Sequence, residues 1–402
     1  MKLRGELWIV SELFYPDETA TGFYMTNIAK HLAKDQIVNI ICGSDIYEKG
    51  TKLIAADQYF SENVKIHRIK ALSLDKNRIL SRIFRFMYLT ITLAFQMMIK
   101  IKRNDRVLLV TNPAFIVPLA SFLSKIKAFE LSILVHDVFP ENLIPAQILK
   151  PRSTIYYVLN SLFTWAYKSS DRIIVLGRDM QELFQKKIGN ENNKISVIEN
   201  WSDIHTVFPI KVDSAIIYEN VDLKDKVIFQ YAGNIGRLQG LSELLDIISE
   251  ISNTELHFMF LGEGAFKDKL ILKANALGLS NVSFCSSFNR SKQNLYLNAC
   301  DVAIVAINEQ MFGLGVPSKS YNIMAAGKPI LYIGNKNGEI GLLIKENNIG
   351  WQFEFSQKAS LVNFFNQFDI SMVGDKGLKS RAIAESKYSV DKILEKYSNL
   401  YS

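Results

Sequence analysis

Pro317, Ser318 and Lys319 open a predicted helix in the stretch VPSKSYNIMAAGKPIL, residues 316 to 331, which Gly327 and Pro329 bring to an end. Proline suits the first helical turn and Ser318 is expected to cap its free amides. Such a turn presents unpaired N–H donors and a partial positive charge, a ready site for a phosphate. Lys319 is electrostatically misplaced there unless an anion lies against it. On a surface that misplacement costs only about 0.3 to 1 kcal/mol, so an exposed, tolerated lysine is the other reading.

Two further loops follow predicted strands and open helices. In YAGNIGRLQGLSELL, Gly233, Gly236 and Gly240 permit backbone conformations that bring amides close to a ligand, and Arg237 can clamp a diphosphate through paired hydrogen bonds. The plainer alternative is a turn held by glycines beside an exposed arginine. In FLGEGAFKDKL, Gly262 and Gly264 bracket Glu263 at another strand-to-helix turn, a weaker pattern. No Asp-x-Asp pair occurs, and the histidines at 31, 67, 136, 205 and 257 form no ligand pattern, so neither a metal nor a cofactor is expected.

These loops need a scaffold, and the chain repeats one. Short runs rich in Ile, Val and Leu are expected as strands at 6–11, 37–42, 65–70, 106–111, 131–137, 172–177 and 194–200. A second series is expected at 227–233, 255–262, 281–287, 301–307, 329–334 and 350–355. Amphipathic stretches lie between most of them, which implies α/β architecture with parallel sheets covered on both faces. The expected fold is two Rossmann-like doubly wound domains, at 1–205 and 206–375, with a helix at 376–402 crossing back to pack on the first. Ligands of such sheets gather at the carboxyl ends of strands, which makes the cleft between the domains the expected site.

A chain of 402 residues exceeds one ordinary core, and 48% hydrophobic with 22% charged residues describes a well-packed protein. The net charge of +7 favours anionic company. Nucleic acid is not expected, because the aromatic and Cys/His signatures of its binding modules are missing. Cys42, Cys285 and Cys300 are odd in number and far apart, which points to a reducing, cytoplasmic setting.

Within residues 76–103, the charge-free run 86–99 is flanked by Arg78, Arg82 and Arg85 and then by Lys100, Lys102 and Arg103. Fourteen residues are too few to span a bilayer, which needs about 20. This helix is either a core element with solvated ends or an interfacial helix on an anionic membrane surface.

VPSKSYNIMAAGKPIL, YAGNIGRLQGL, the amino-terminal YPDETATGFYMTNIAKHLAK, ILVHDVFPENL and SSDRIIVLGRDM together resemble the retaining glycosyltransferases of GT-B fold, family four. The likeness is to the branch that builds bacterial O-antigen, capsule and colanic-acid polysaccharides, and it runs from about Leu7 to the terminal YSVDKILEKYSNLY. It implies a nucleoside-diphosphate sugar donor bound by the second domain, a lipid-linked or oligosaccharide acceptor bound mostly by the first, and metal-independent transfer. It places the work at the inner face of the plasma membrane.

Residue by residue, the resemblance assigns His136 to the transferred sugar and Arg237 and Lys319 to the leaving diphosphate. Thr21, Gly22, Gly233, Asn234, Gly236, Gly262, Glu263, Pro317 and Ser318 fall on the donor, with Phe288 at the nucleobase. Asp137 and Glu141 fall on acceptor hydroxyls or serve as helix caps. Two positions depart from the pattern. Asn322 stands where an acid usually holds the donor ribose, and Leu314 where its partner acid stands eight residues earlier. Asn234 and Gln239 occupy places where Arg and Lys are common, so Arg237 and Lys319 are expected to carry both charges. A nucleotide-sugar epimerase and a non-catalytic partner of another transferase are the competing expectations.

Overall fold

The computed structural model describes residues 5–17, 19–43, 60–70, 79–189, 193–218 and 221–401. The chain forms two compact units, Met1–Ile198 with Leu394–Ser402, and Glu199–Ile393.

The first unit is wound on β1 (Leu7–Ser11), β2 (Val38–Gly43), β3 (Val64–Ile69), β4 (Arg106–Val110), β5 (Glu130–Val135), β6 (Arg172–Val175) and β7 (Ile195–Val197). All pair in parallel, in the order β3-β2-β1-β4-β5-β6-β7. Ile9 registers between Ile40 and Leu108, and all three are fully buried. Burial on both faces is why these strands read as continuous apolar runs rather than alternating ones. Asp105, just before β4, pins the sheet's lower edge by accepting from Trp8 Nε1 at 3.0 Å and from the Glu6 amide at 3.0 Å.

The second unit repeats the plan with β8 (Val227–Ala232), β9 (Leu256–Leu261), β10 (Val282–Cys285), β11 (Val302–Ala306), β12 (Ile330–Ile333) and β13 (Gly350–Phe353), in the order β10-β9-β8-β11-β12-β13. Its core is aromatic: Phe229 stacks on Phe258 with centroids 5.6 Å apart, and Phe365 meets both edge-on at 5.2 Å. In each sheet the chain winds outward on one side, then returns to the other side of its first strand. The switch points lie between β1 and β4 and between β8 and β11, where doubly wound sheets place ligands.

The units divide at Ile198/Glu199 and Ile393/Leu394, where the sequence suggested 205/206 and 375/376. The second difference has a physical cause. Helix Lys376–Lys387 is tied to the second unit, its Arg381 donating to the carbonyls of Ala325 at 2.7 Å and Val207 at 2.8 Å. Only the last residues join the first unit, where Arg172 donates to the Leu400 carbonyl at 2.7 Å and Arg106 to that of Tyr401.

Candidate active site

Lys319 begins the helix Lys319–Ala325, after β11, and its side chain is not displayed on the surface. The residue is half-buried but its ammonium is wholly so, 3.5 Å from the centre of the Tyr231 ring and without a hydrogen-bond partner among the described residues. Tyr231 is the last residue but one of β8 and is itself fixed by donating its hydroxyl to the Asn234 carbonyl at 2.7 Å. The ring's negative face partly replaces the water the ammonium has lost. Replacement is incomplete, because burial pushes the Lys319 pKa down from 10.5 to about 7.

Gly233 makes this arrangement possible. It has φ +149°, and a Cβ there would stand 3.1 Å from the Lys319 Nζ. The loops after β8 and β9 are zipped together: the Gly233 amide donates to the Leu261 carbonyl at 2.9 Å, and that of Ile235 to the Glu263 carbonyl at 2.9 Å. Gly262 and Gly264 serve this contact, since Cβ atoms on them would lie 1.9 Å from Gly233 O and 2.2 Å from Ile235 O. Their glycine character is therefore explained by backbone packing behind the site. Glu263 is exposed and paired with Lys267 at 2.8 Å, which holds its carboxyl below the usual range.

Arg237 lies in the exposed turn Arg237–Gln239, its guanidinium 5.3 Å from the centre of the Phe266 ring. Gln239 tightens that turn by accepting from the Gly236 amide at 3.0 Å, and Asn234 is exposed beside it. Asn322, three residues after Lys319, shares its helical face and is half-buried. Leu314 is buried. Phe288 follows β10 and stacks on Tyr296, with centroids 4.6 Å apart and planes 8° from parallel, which covers one face of its ring.

The expectation for Ser318 is corrected. It has helical backbone angles, φ −62° and ψ −24°, and makes no capping bond through its side chain. Caps need extended backbone at that position. The Ser320 amide donates instead to the Pro317 carbonyl at 3.2 Å and that of Tyr321 to Ser318 at 3.3 Å, so i to i−3 bonds occupy amides that the sequence suggested were free.

In the first unit His136 follows β5. Its Nδ1 lies 3.2 Å from the Thr21 hydroxyl, a hydrogen bond in either tautomer, while Nε2 is buried without a partner among the described residues. Burial lowers its pKa to about 4, so the imidazole is neutral at pH 7. Thr111 positions the turn by accepting from the amides of His136 at 3.1 Å and Asp137 at 3.3 Å. Asp137 is exposed. Gly22, buried in the helix Ala20–Leu32, lets the Asp17 carbonyl approach to 2.5 Å of where a Cβ would stand.

Glu141 sits 2.5 Å from Lys187 Nζ, a pairing of two mostly buried side chains. Sequence reasoning missed Lys187, Thr111 and Tyr231, each separated in the chain from the group it serves. Tyr231 alone left a trace, as the one aromatic residue directly before the AGN turn. Among the described residues, no three His, Cys, Asp or Glu side chains cluster as a metal site.

Known proteins resemble this chain along its whole length. The family model described as "Glycosyl transferases group 1" matches residues 215–368. A relative named probable glycosyltransferase WbjE, from Pseudomonas aeruginosa, is 33% identical over 402 residues, covering 98% of this chain and 97% of that protein. Putative colanic acid biosynthesis glycosyl transferase WcaI of Escherichia coli K12 is 27% identical over 176 residues, 43% of each chain. The crystal structure of Anabaena HepE in complex with UDP superposes with a TM-score of 0.72 at 14% identity, covering 99% of both chains, a likeness of fold. With a third of its residues shared along nearly the full length of one such enzyme, the chain belongs to the group 1 glycosyl transferases, the retaining glycosyltransferases of family four and GT-B fold.

Proposed function

We propose that the chain moves a sugar from a nucleoside-diphosphate sugar to a hydroxyl of a lipid-linked glycan in bacterial surface polysaccharide synthesis. It does so at the cytoplasmic membrane face and without a divalent metal. The observation that carries this reading is the Lys319 ammonium: buried, held over Tyr231, opposite a glycine that leaves room for it, and without a hydrogen-bond partner among the described residues. A group so placed gains most when a diphosphate arrives, because the ligand restores the charge that burial suppresses.

The bond between the anomeric carbon and the diphosphate oxygen breaks as charge accumulates on that oxygen, and Lys319 and Arg237 neutralise it. The acceptor hydroxyl forms the new bond from the same face, and its proton passes to the leaving phosphate. His136, neutral at pH 7, is a hydrogen-bonding group for the transferred sugar rather than a charge. Asn322 replaces a charge-assisted ribose contact with neutral hydrogen bonds, which weakens grip on the nucleoside.

HepE is described with UDP-glucose, and uridine nucleotides are the first donors to offer. Purified protein incubated with a panel of nucleotide sugars, a glycan acceptor and EDTA should release nucleoside diphosphate only when acceptor is present. Altered donor sugar without acceptor would indicate an epimerase. Activity lost in EDTA and restored by a divalent ion would overturn the metal-free mechanism.

A further inference from the structure

Three helices of the first unit, Ile79–Lys100, Ile116–Lys127 and Thr154–Ser169, lie side by side. Phe86 meets Phe115, Phe115 meets Phe163, and Ser121 donates to the Ala166 carbonyl at 3.0 Å. Their inner sides are buried, including Leu93, Met97, Ala120 and Phe163. Their outer sides are apolar as well. On the first, Phe84, Met87, Ile91, Phe95 and Met98 recur at helical spacing and are 47–60% exposed. On the second, Phe115, Leu119, Phe122 and Ile126 form a matching stripe. On the third, Ile155, Val158, Leu162 and Trp165 do the same. Fifteen of the twenty-three exposed large apolar side chains among the described residues fall on these helices, and a sixteenth, Phe115, immediately precedes the second, far more than scattered surface residues explain.

Charge identifies what covers them. None of the three helices contains an Asp or Glu. Each returns the chain to the start of a parallel strand, so their carboxyl ends share one edge. Lys100, Lys125, Lys127 and Lys168 lie on that edge, with Lys102 and Arg103 just beyond it. A second copy of the same face would set these cations against each other, whereas anionic headgroups would complement them.

We propose that this three-helix face docks on an anionic lipid bilayer, with the stripes at the headgroup and acyl boundary and the basic edge among phosphates. Residues Ile83–Lys100 are long and apolar enough to cross a membrane, but Leu93 and Met97 are fully buried on the protein side, so the helix lies in the interface. Residues 76–78, with Arg78, and the Arg82 side chain lie outside the described residues; the face stands without them. This deepens the membrane part of the proposed function. Its test uses neither donor nor acceptor, so it fails or succeeds independently of the transferase reading.

The full chain is sedimented with vesicles of phosphatidylcholine, with and without phosphatidylglycerol. Binding should require phosphatidylglycerol and weaken with salt. Phe122→Glu with Ile126→Glu should lower it at least about tenfold, while Leu272→Glu with Leu378→Glu in the second unit should leave it unchanged. Retained melting temperature in the first variant shows that it folds. Lipids brominated on their acyl chains should quench Trp165 fluorescence, and Trp165→Phe should remove the quenched component. Absence of binding to anionic vesicles, or binding indifferent to Phe122 and Ile126, would overturn the proposal. So would a wild-type dimer in sedimentation velocity that the same double substitution dissolves.

Discussion

The first unit turns three apolar helical stripes toward its surroundings, while the second, wound in nearly the same strand order, leaves only Phe208, Leu272, Leu277, Ile370 and Leu378 exposed and scattered among its described large apolar residues. The units differ again in their buried bases. His136 is held neutral by burial and anchored to Thr21, a state with little electrostatic cost at pH 7. Lys319 is buried where its charged form is only half favoured at that pH, with a ring and, among the described residues, no hydrogen bond to compensate. One architecture thus carries two specialisations, a resting hydrogen-bonding group beside a docking face and a cation under strain. The strained group is the one that a ligand can relieve.

The sharpest way to break this contrast is Lys319→Met. Losing a charge placed for the departing diphosphate should lower kcat by about 10²–10³. It should also raise the stability of the ligand-free second unit at pH 7 by about 2 kcal/mol, because methionine needs no hydration. Steady-state kinetics and thermal unfolding of the same sample check both halves. An inactive variant with unchanged stability would show that the lysine carries no stored cost.

Paired glycine substitutions come next. Gly233→Ala crowds Nζ and forces a left-handed residue, so it should destabilise by about 1–2 kcal/mol and weaken nucleotide affinity about tenfold in calorimetric titration. Gly22→Ala meets the Asp17 carbonyl instead and should destabilise comparably, with a smaller loss of nucleotide affinity because it leaves the Lys319 ammonium uncrowded. Equal affinity losses in the two would erase the division of labour.

Acid and base titrations follow. Both folded pKa values are depressed, so the unfolded chain binds more protons and stability rises with pH through each window. The His136 contribution is full above pH 6.5 and lost as pH falls toward 4. That of Lys319 is full only above 10.5 and lost as pH falls to about 7. The windows should span about 3 and about 5 kcal/mol respectively, at about 1.4 kcal/mol per pH unit, and His136→Asn should flatten the acid one without touching the other. The smallest effect is expected from Thr21→Val, a loss of about two- to fivefold in kcat through the His136 hydrogen bond, with nucleotide affinity lowered by no more than that. An affinity lost beyond that range would make donor contact, rather than support of His136, the main role of Thr21.

Twelve of the thirteen described strands were legible in the sequence to within about two residues, because strands buried on both faces must be continuous runs of Ile, Val and Leu, whereas β7, expected to run to 200, ends at Val197. Glycines at strand ends marked the loops after β8 and β9, although the reason for Gly262 and Gly264, a backbone passing within 1.9 and 2.2 Å of their missing Cβ atoms, lies in another loop. The sequence marked Lys319 as a cation opposing a dipole, which either meets an anion or stays exposed. Its burial depends on Tyr231 and Gly233, more than eighty residues earlier, which no local pattern encodes. The helix Thr154–Ser169 has apolar residues around most of its circumference, so periodicity could not say which side would remain uncovered.

The zipper between the loops after β8 and β9 constrains how donor preference can change. Because the Gly233 carbonyl would sit 1.9 Å from a Cβ at 262, a chimera that imports a loop with any residue but glycine at 262 inherits a steric clash unless a loop after β8 of matching path comes with it. Recombination that treats the pair as one exchangeable cassette should yield folded hybrids, while single-loop transplants should yield inclusion bodies.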